Sequence, residues 1–345
     1  MKLLYVGMDL GSKVCVWVAV NSDGKQVLWS EFKTSEKGMI DSFKDIPGEV
    51  HLMFEECELS SWAFRVLKPL VKEVVVCDPV RNAWIAKASN KNDRVDAGKL
   101  AEMLRVNSYK PVYNTTDDWM CGFKRAVKQE MELTGKIKKL KSQIKSQYRR
   151  EGLHFAGKTP FYKSKIEECL GQVTDDVVQD LLAQNYRILI VLEKERTLGR
   201  KRVQSLSQKI TVIQAMEKVP GVGNVLASRF VAYVQTPHRF PTKRGLWRYS
   251  RLGIVNRSSD GNPIGRKRLE RRANGTLKDV SRKIFQAAMK CKEDNLFKRS
   301  YMSSLSRTKD NTHARLNTQR KILAVLRAMW RDKTEYRDDI DLMRA

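Results

Sequence analysis

Apolar and polar positions alternate through residues 2–8, 14–20 and 26–32, with Gly11-Ser12 and Asp23-Gly24 between them. A period of two bounded by turn residues predicts three antiparallel strands joined as a meander. The pattern then switches repeatedly: a short helix over 35–44, a strand over 51–54, a helix over 60–70, a strand over 73–77 and a helix from about Asn92 to Leu104. Such alternation predicts crossover connections in a mixed sheet. From Asp117 to Tyr148 the period lengthens to that of a helix, with Met131, Leu133, Ile137, Leu140 and Ile144 apolar in a charged background. A second long helix is predicted from Asp175 to Met216, broken near Gly199, and the Gly- and Pro-bearing stretch 152–160 separates the two. Together they predict an antiparallel helical arm or coiled coil, serving as a spacer, in dimerisation or in nucleic-acid contact. After Lys218 the chain reads as short helices and basic loops.

Three domains follow: 1–110, 111–216 and 217–345. The expected fold class is α/β plus α. A ribonuclease-H-like mixed sheet comes first, then the helical arm, then a mostly helical basic domain. No apolar run approaches the roughly 20 residues of a membrane span, and residues 1–6 enter a strand pattern without a cleavage site. The expected location is therefore the cytosol. Cysteines at 15, 57, 77, 121, 169 and 291 form no C-x-x-C pair, which argues against structural zinc and disulfides.

Charge changes the picture. The formal net charge is +27, but residues 1–110 carry 16 basic and 15 acidic side chains, 111–216 carry 20 and 12, and 217–345 carry 30 and 12. A neutral first domain followed by an increasingly basic remainder implies a polyanionic partner gripped mainly after residue 110. Within the neutral domain the acids sit at element ends. Asp9 ends the first strand, Glu55 and Glu56 end the fourth, and Asp93 and Asp96 share one face of a predicted helix. Any one of them can be an ordinary turn or cap acid. Converging in one pocket, four carboxylates repel unless divalent cations fill it, and hard oxygen ligands suit Mg²⁺. Strand alternation lets only one of Glu55 and Glu56 point inward.

In the basic part, Val219-Pro220-Gly221-Val222-Gly223 before a helical run fits a helix-hairpin-helix, in which Gly221 and Gly223 let backbone N–H groups face a phosphate. Further on, Ser258-Ser259-Asp260-Gly261 is flanked by Arg257, Arg266, Lys267, Arg268, Arg271 and Arg272. By composition these serines are turn residues beside a phosphate-binding cluster.

Gly7-Met8-Asp9-Leu10-Gly11, Glu56-Cys57-Glu58-Leu59-Ser60-Ser61-Trp62 and Lys91-Asn92-Asp93-Arg94-Val95-Asp96-Ala97 resemble the three acidic blocks of the DEDD transposases. These are insertion-sequence recombinases akin to Piv-type DNA invertases, with a RuvC-like N-terminal domain. Trp62, six positions after Glu56, favours Glu56 over Glu55 in that register, although Cys57-Glu58-Leu59 departs from the family's usual Ala-Thr-Gly. The stretch through Pro220, Phe240-Pro241, Tyr249, Ser259, Asn274, Leu277 and Ala287-Ala288 resembles the family's C-terminal domain, whose serine nucleophile falls on Ser259, with Ser258 the alternative. The resemblance implies a transposase or site-specific recombinase that cuts and rejoins DNA through Ser259, with Mg²⁺ held by Asp9, Glu56, Asp93 and Asp96. It further implies composite sites assembled between subunits of a homo-oligomer (a dimer or tetramer) and a structured noncoding guide RNA. The rival expectations are a RuvC-like junction nuclease using the acids alone and a non-enzymatic DNA-binding protein.

Overall fold

The computed structural model describes residues 2–79, 92–255, 268–271 and 273–338, and the backbone of 258–259 and 262–263. It divides into two compact units, one as far as Asp118 and one from Trp119 onward.

The first unit begins with the expected meander: β1 (Leu3–Leu10), β2 (Val14–Val20) and β3 (Gln26–Lys33), antiparallel throughout. Next come α1 (Glu36–Phe43), β4 (Glu49–Glu55), α2 (Ser60–Leu67), β5 (Glu73–Cys77), α3 (Asp93–Arg105) and the short β6 (Pro111–Val112). Strand order is β3-β2-β1-β4-β5-β6, with β1, β4 and β5 mutually parallel. This is a mixed α/β sheet in the order expected of a ribonuclease-H-like domain. Alternation sends Val6, Met8, Leu52 and Phe54 to one face, where Met39, Phe43, Ala63 and Leu67 of α1 and α2 cover them. On the other face Met53, Val75 and Cys77 meet Leu100, Met103 and Leu104 of α3. Helix α3 runs close over β1: a Cβ on Gly7 would stand 2.1 Å from the Ala97 carbonyl oxygen, so no larger residue fits there.

The second unit carries the two long helices α4 (Asp118–Arg150) and α6 (Asp176–Ser207), with the short α5 (Ile166–Leu170) between them. They run antiparallel, as the contacts of Tyr148 with Tyr186, Lys141 with Glu193 and Glu130 with Arg200 show. Ile137, Leu140 and Ile144 pack on Leu182, Tyr186 and Leu189 in a core of their own. The break expected near Gly199 is absent, and α6 continues to Ser207. A Cβ on Gly199 would meet Leu133 and Glu130 of α4 at 3.9 and 4.0 Å, so the glycine lies on the face of α6 turned toward α4.

The chain continues with α7 (Thr211–Glu217), α8 (Asn224–Val234), α9 (Lys243–Tyr249), α10 (Gly275–Lys290), α11 (Leu296–Thr308) and α12 (Asn311–Asp332). The last three are longer than the short helices expected after Lys218, and each starts at an Asn or Asp whose side chain caps it: Asn274, Asn295 and Asp310. Their core is shared with Phe123 and Val127 of α4 and Val203 of α6, so the arm's near ends are built into it. Between α9 and α10 lie two small ladders, β7 (Ile254–Val255) with β10 (Arg268–Leu269) and β8 (Ser258–Ser259) with β9 (Asn262–Pro263). Among the described residues no helix is long and apolar enough to cross a membrane.

Candidate active site

The carboxylates sit where parallel strands end, the edge at which open α/β sheets take their ligands. Met8 is paired with Phe54, and Asp9 and Glu55 are the next residue on each strand. Adjacent strands are about 4.8 Å apart. Gly7 faces α3 and Met53 packs on it, so alternation puts Asp9 and Glu55 together on the α3 face. Glu56 lies one residue past β4, with the opposite parity and an exposed side chain, while its N–H donates to the Cys77 carbonyl at 2.9 Å. On this parity Glu55, and not Glu56, shares the Asp9 face.

Asp93 and Asp96 stand in the first turn of α3, capped by the Asn92 side chain, which accepts from the Arg94 N–H at 3.0 Å. The C-terminal Arg105 of α3 reaches the Ser22 carbonyl by the β2–β3 turn, so the helix N-terminus points to the opposite end of β1, where Asp9 lies. Asp96, its side chain 14% exposed, accepts from Lys99 Nζ at 3.0 Å. Among the described residues no three acids, histidines or cysteines are grouped closely enough to hold a metal ion. The arrangement is thus a carboxylate pair at the sheet edge and a second pair on the helix above that face, with a lysine ammonium on Asp96. The donor set is entirely hard oxygen, which fits Mg²⁺ in kind.

In the second unit the serines belong to a segment held at both ends. The Asn274 N–H donates to the Tyr249 carbonyl at 2.8 Å, and the Asn274 side-chain amide reaches the Tyr249 hydroxyl at 3.3 Å. Inside that clamp the Glu270 N–H donates to the Gly253 carbonyl, and Arg320 Nε of α12 donates to the Leu252 carbonyl at 2.8 Å. Trp247 Nε1 holds the Arg320 carbonyl at 2.9 Å, and Arg251 Nε donates to the Ala273 carbonyl. Within the same segment Ser259 pairs with Asn262 in a separate two-residue ladder. Of the expected phosphate-binding cluster, Arg268 and Arg271 are described and exposed, whereas Arg257, Arg266, Lys267 and Arg272 lie outside the described residues, as do Lys91, Asp260 and Gly261.

The two glycines of the expected hairpin differ. Gly221 takes φ +81°, and a Cβ there would meet backbone atoms of Ile284 and Ala288 at 2.6 Å, so it serves close packing on α10. Gly223 is exposed with open space in front and precedes α8 as its N-cap.

Residues 6–150 match a family described as transposase, and residues 213–301 match the transposase IS116/IS110/IS902 family. The first match spans both pairs of acids, and the second spans the clamped serine segment. The chain belongs to the IS110-type DEDD transposases. No curated protein matches it. The transposase matches leave out residues 151–212, most of the arm beyond α4, and α12, from which Arg320 reaches the serine segment. Sequence reasoning did not find Arg320 or Arg251. Each is one arginine among many, and only its carbonyl partner distinguishes it.

Proposed function

We propose that this transposase cuts and rejoins DNA through a covalent bond from Ser259. The hydroxyl oxygen attacks the scissile phosphorus and an O–P bond forms. One phosphodiester P–O bond breaks, and the departing DNA oxygen leaves as a hydroxyl on gaining a proton. Rejoining is the reverse, with a DNA hydroxyl attacking the phosphoserine and returning the serine. The number of ester bonds is unchanged, so no external energy source is needed. What supports the reading is that Ser258 and Ser259 form a short ladder within the clamped segment, inside the stretch matched to the transposase family, and that the same segment carries the exposed Arg268 and Arg271. Guanidinium groups of this segment, brought to the serine, would neutralise the phosphate under attack.

The carboxylates of the first unit are proposed as the Mg²⁺ ligands: Asp9 with Glu55, joined by Asp93 and Asp96. Glu56 is the member that the family spacing favours in place of Glu55. Bound Mg²⁺ would supply Lewis acidity and charge neutralisation at the phosphodiester. For Asp96 to join, it must release Lys99. The proposed partners are donor and target DNA, a structured guide RNA and further copies of the chain, with the basic residues after 110 supplying the grip.

The deciding experiment is a covalent-adduct assay with the full-length protein and DNA from the ends of its element, with and without RNA from its flanks. Ser259→Ala is expected to keep nucleic-acid binding while adduct and recombinant product disappear. Ser258→Ala keeps part of the activity. An adduct that survives Ser259→Ala and is lost in Ser258→Ala would move the role to Ser258. An adduct that survives both substitutions moves the covalent bond to another residue, and strand cleavage by the parent without any adduct favours the hydrolytic nuclease.

A further inference from the structure

Where α4 begins and α6 ends, the second unit holds an open cavity of about 510 Å³, within the roughly 300–1,000 Å³ of small-molecule sites. Its aromatic wall is preformed. Trp119 lies offset on Phe123, with ring centroids 5.5 Å apart and planes 10° from parallel, and Phe123 is fully buried in the core. Leu206 of α6 lines the cavity with them. Gly122, exposed and in mid-helix, lies between the two rings in sequence, and a Cβ placed on it would meet nothing within 4 Å. Neither close packing nor a positive φ requires a glycine there, and glycine disfavours a helix, so its effect is to keep the cavity open. The rim is cationic. Arg125 and Arg202 are exposed and have no ion pair among the described residues, whereas Arg200, two positions earlier on α6, is tied to buried Glu130 at 3.1 Å. Gln129 adds an amide that can both donate and accept.

We propose that this cavity takes one unpaired nucleotide of the bound nucleic acid, its base stacked at Trp119 and its backbone phosphates on Arg125 and Arg202. A flat ring, a cation and an amide are the groups with which proteins hold an unstacked base: the ring takes its face, the amide its edge and the cation its phosphate. A base inside a duplex is stacked on its neighbours and cannot enter a recess, so the site selects a single strand. An acidic peptide would use the arginines but leave the aromatic wall empty, and an apolar molecule would do the reverse. Arg202 and Leu206 fall within residues 151–212, which neither transposase match covers, so the α6 side of the cavity lies outside the matched segments. The inference rests on nucleic acid being the partner, as proposed above, and is independent of Ser259 and the acids.

Binding of labelled oligonucleotides to the full-length protein without Mg²⁺ tests it, with single-stranded DNA, single-stranded RNA and a DNA duplex as the probes. Gly122→Leu puts a side chain into the cavity from a position free of neighbours. It is expected to weaken single-strand binding roughly tenfold, the scale of one lost base–aromatic stack, and to leave duplex binding within about twofold. Its circular dichroism should match the parent's and its melting should not fall, because leucine favours a helix over glycine. Trp119→Ala should lose single-strand affinity to the same degree, while Trp119→Phe keeps most of it. Arg125→Gln and Arg202→Gln should each lower the salt slope for single strands by about 0.7. A loss confined to the RNA or to the DNA probe shows which strand supplies the nucleotide. Single-strand binding by Gly122→Leu equal to the parent's, or an equal loss with the duplex, would overturn the proposal while the nucleic-acid partner stands. A parent that binds none of the three probes overturns that partner and this inference together.

Discussion

The proposed pairing of Asp9 with Glu55 rests on strand parity, which puts both residues on the sheet face that α3 covers. Asp9→Asn and Glu55→Gln are each expected to lower recombination by roughly a hundredfold or more, as loss of a metal ligand does, while Glu56→Gln retains activity. Recombination assays on the three variants check this, and the reverse order would return the role to Glu56. A different acid, Glu130, works on stability. It is 2% exposed and accepts from Arg229 Nη2 at 2.6 Å, Arg200 Nε at 3.1 Å and Thr134 Oγ1 at 3.0 Å. Burial pushes its carboxyl pKa up, but the Arg229 and Arg200 guanidiniums with Thr134 outweigh that and hold it below the ordinary glutamate value. Its stabilisation is therefore complete above the unfolded pKa of about 4.3 and is lost as pH falls through the lower folded value. Glu130→Gln leaves Arg229 buried without its counter-charge and is expected to cost about 3 kcal/mol at neutral pH. Denaturant melts at pH 7 and at acid pH, where the gap to the parent should narrow, measure both effects.

Among the elements, glycines that look alike in sequence do opposite work. Gly199 is helical, and a Cβ there would make ordinary contacts at 3.9 Å, so Gly199→Ala is expected to stabilise by up to about 1 kcal/mol through helix propensity. Gly221 has φ +81° and backbone atoms 2.6 Å from the Cβ position. Gly221→Ala therefore strains the turn and pushes α10 away, and should destabilise by roughly 1–3 kcal/mol. Denaturant unfolding of the two variants should shift in opposite directions. The serine segment shows the same dependence on context. Its strands are two residues long, and Tyr249, Asn274, Arg251 and Arg320 hold it from α9, α10 and α12.

For the molecule as a whole, a net charge of +27 concentrated after residue 110 makes binding of nucleic acid a salt-dependent property. Arg268→Gln and Arg271→Gln are expected to weaken binding evenly across sequences, each lowering the slope of log affinity against log salt by about 1. Titrations at several salt concentrations measure this, and an unchanged slope would remove these residues from the phosphate contacts.

Local chemistry was enough for much of this protein. The period-two runs and their turn residues determined β1, β2 and β3, and apolar periodicity determined α4, because burying one face of a strand or helix is a local demand. The acid blocks and the serine segment were picked out by their resemblance to the transposase family, whose matches span both stretches. What the sequence left open concerned contacts between distant segments. The proposal of Glu55 over Glu56 uses the sheet face that α3 covers, which no local pattern reveals. The continuity of α6 through Gly199 depended on α4 lying against it, whereas glycine taken alone reads as a break. Gly221 proved to be a packing residue only because α10 crosses it. Arg320 acquired a role only through the Leu252 carbonyl, 68 residues away in the chain. In each case the deciding partner is remote in sequence, and only tertiary structure brings it within reach.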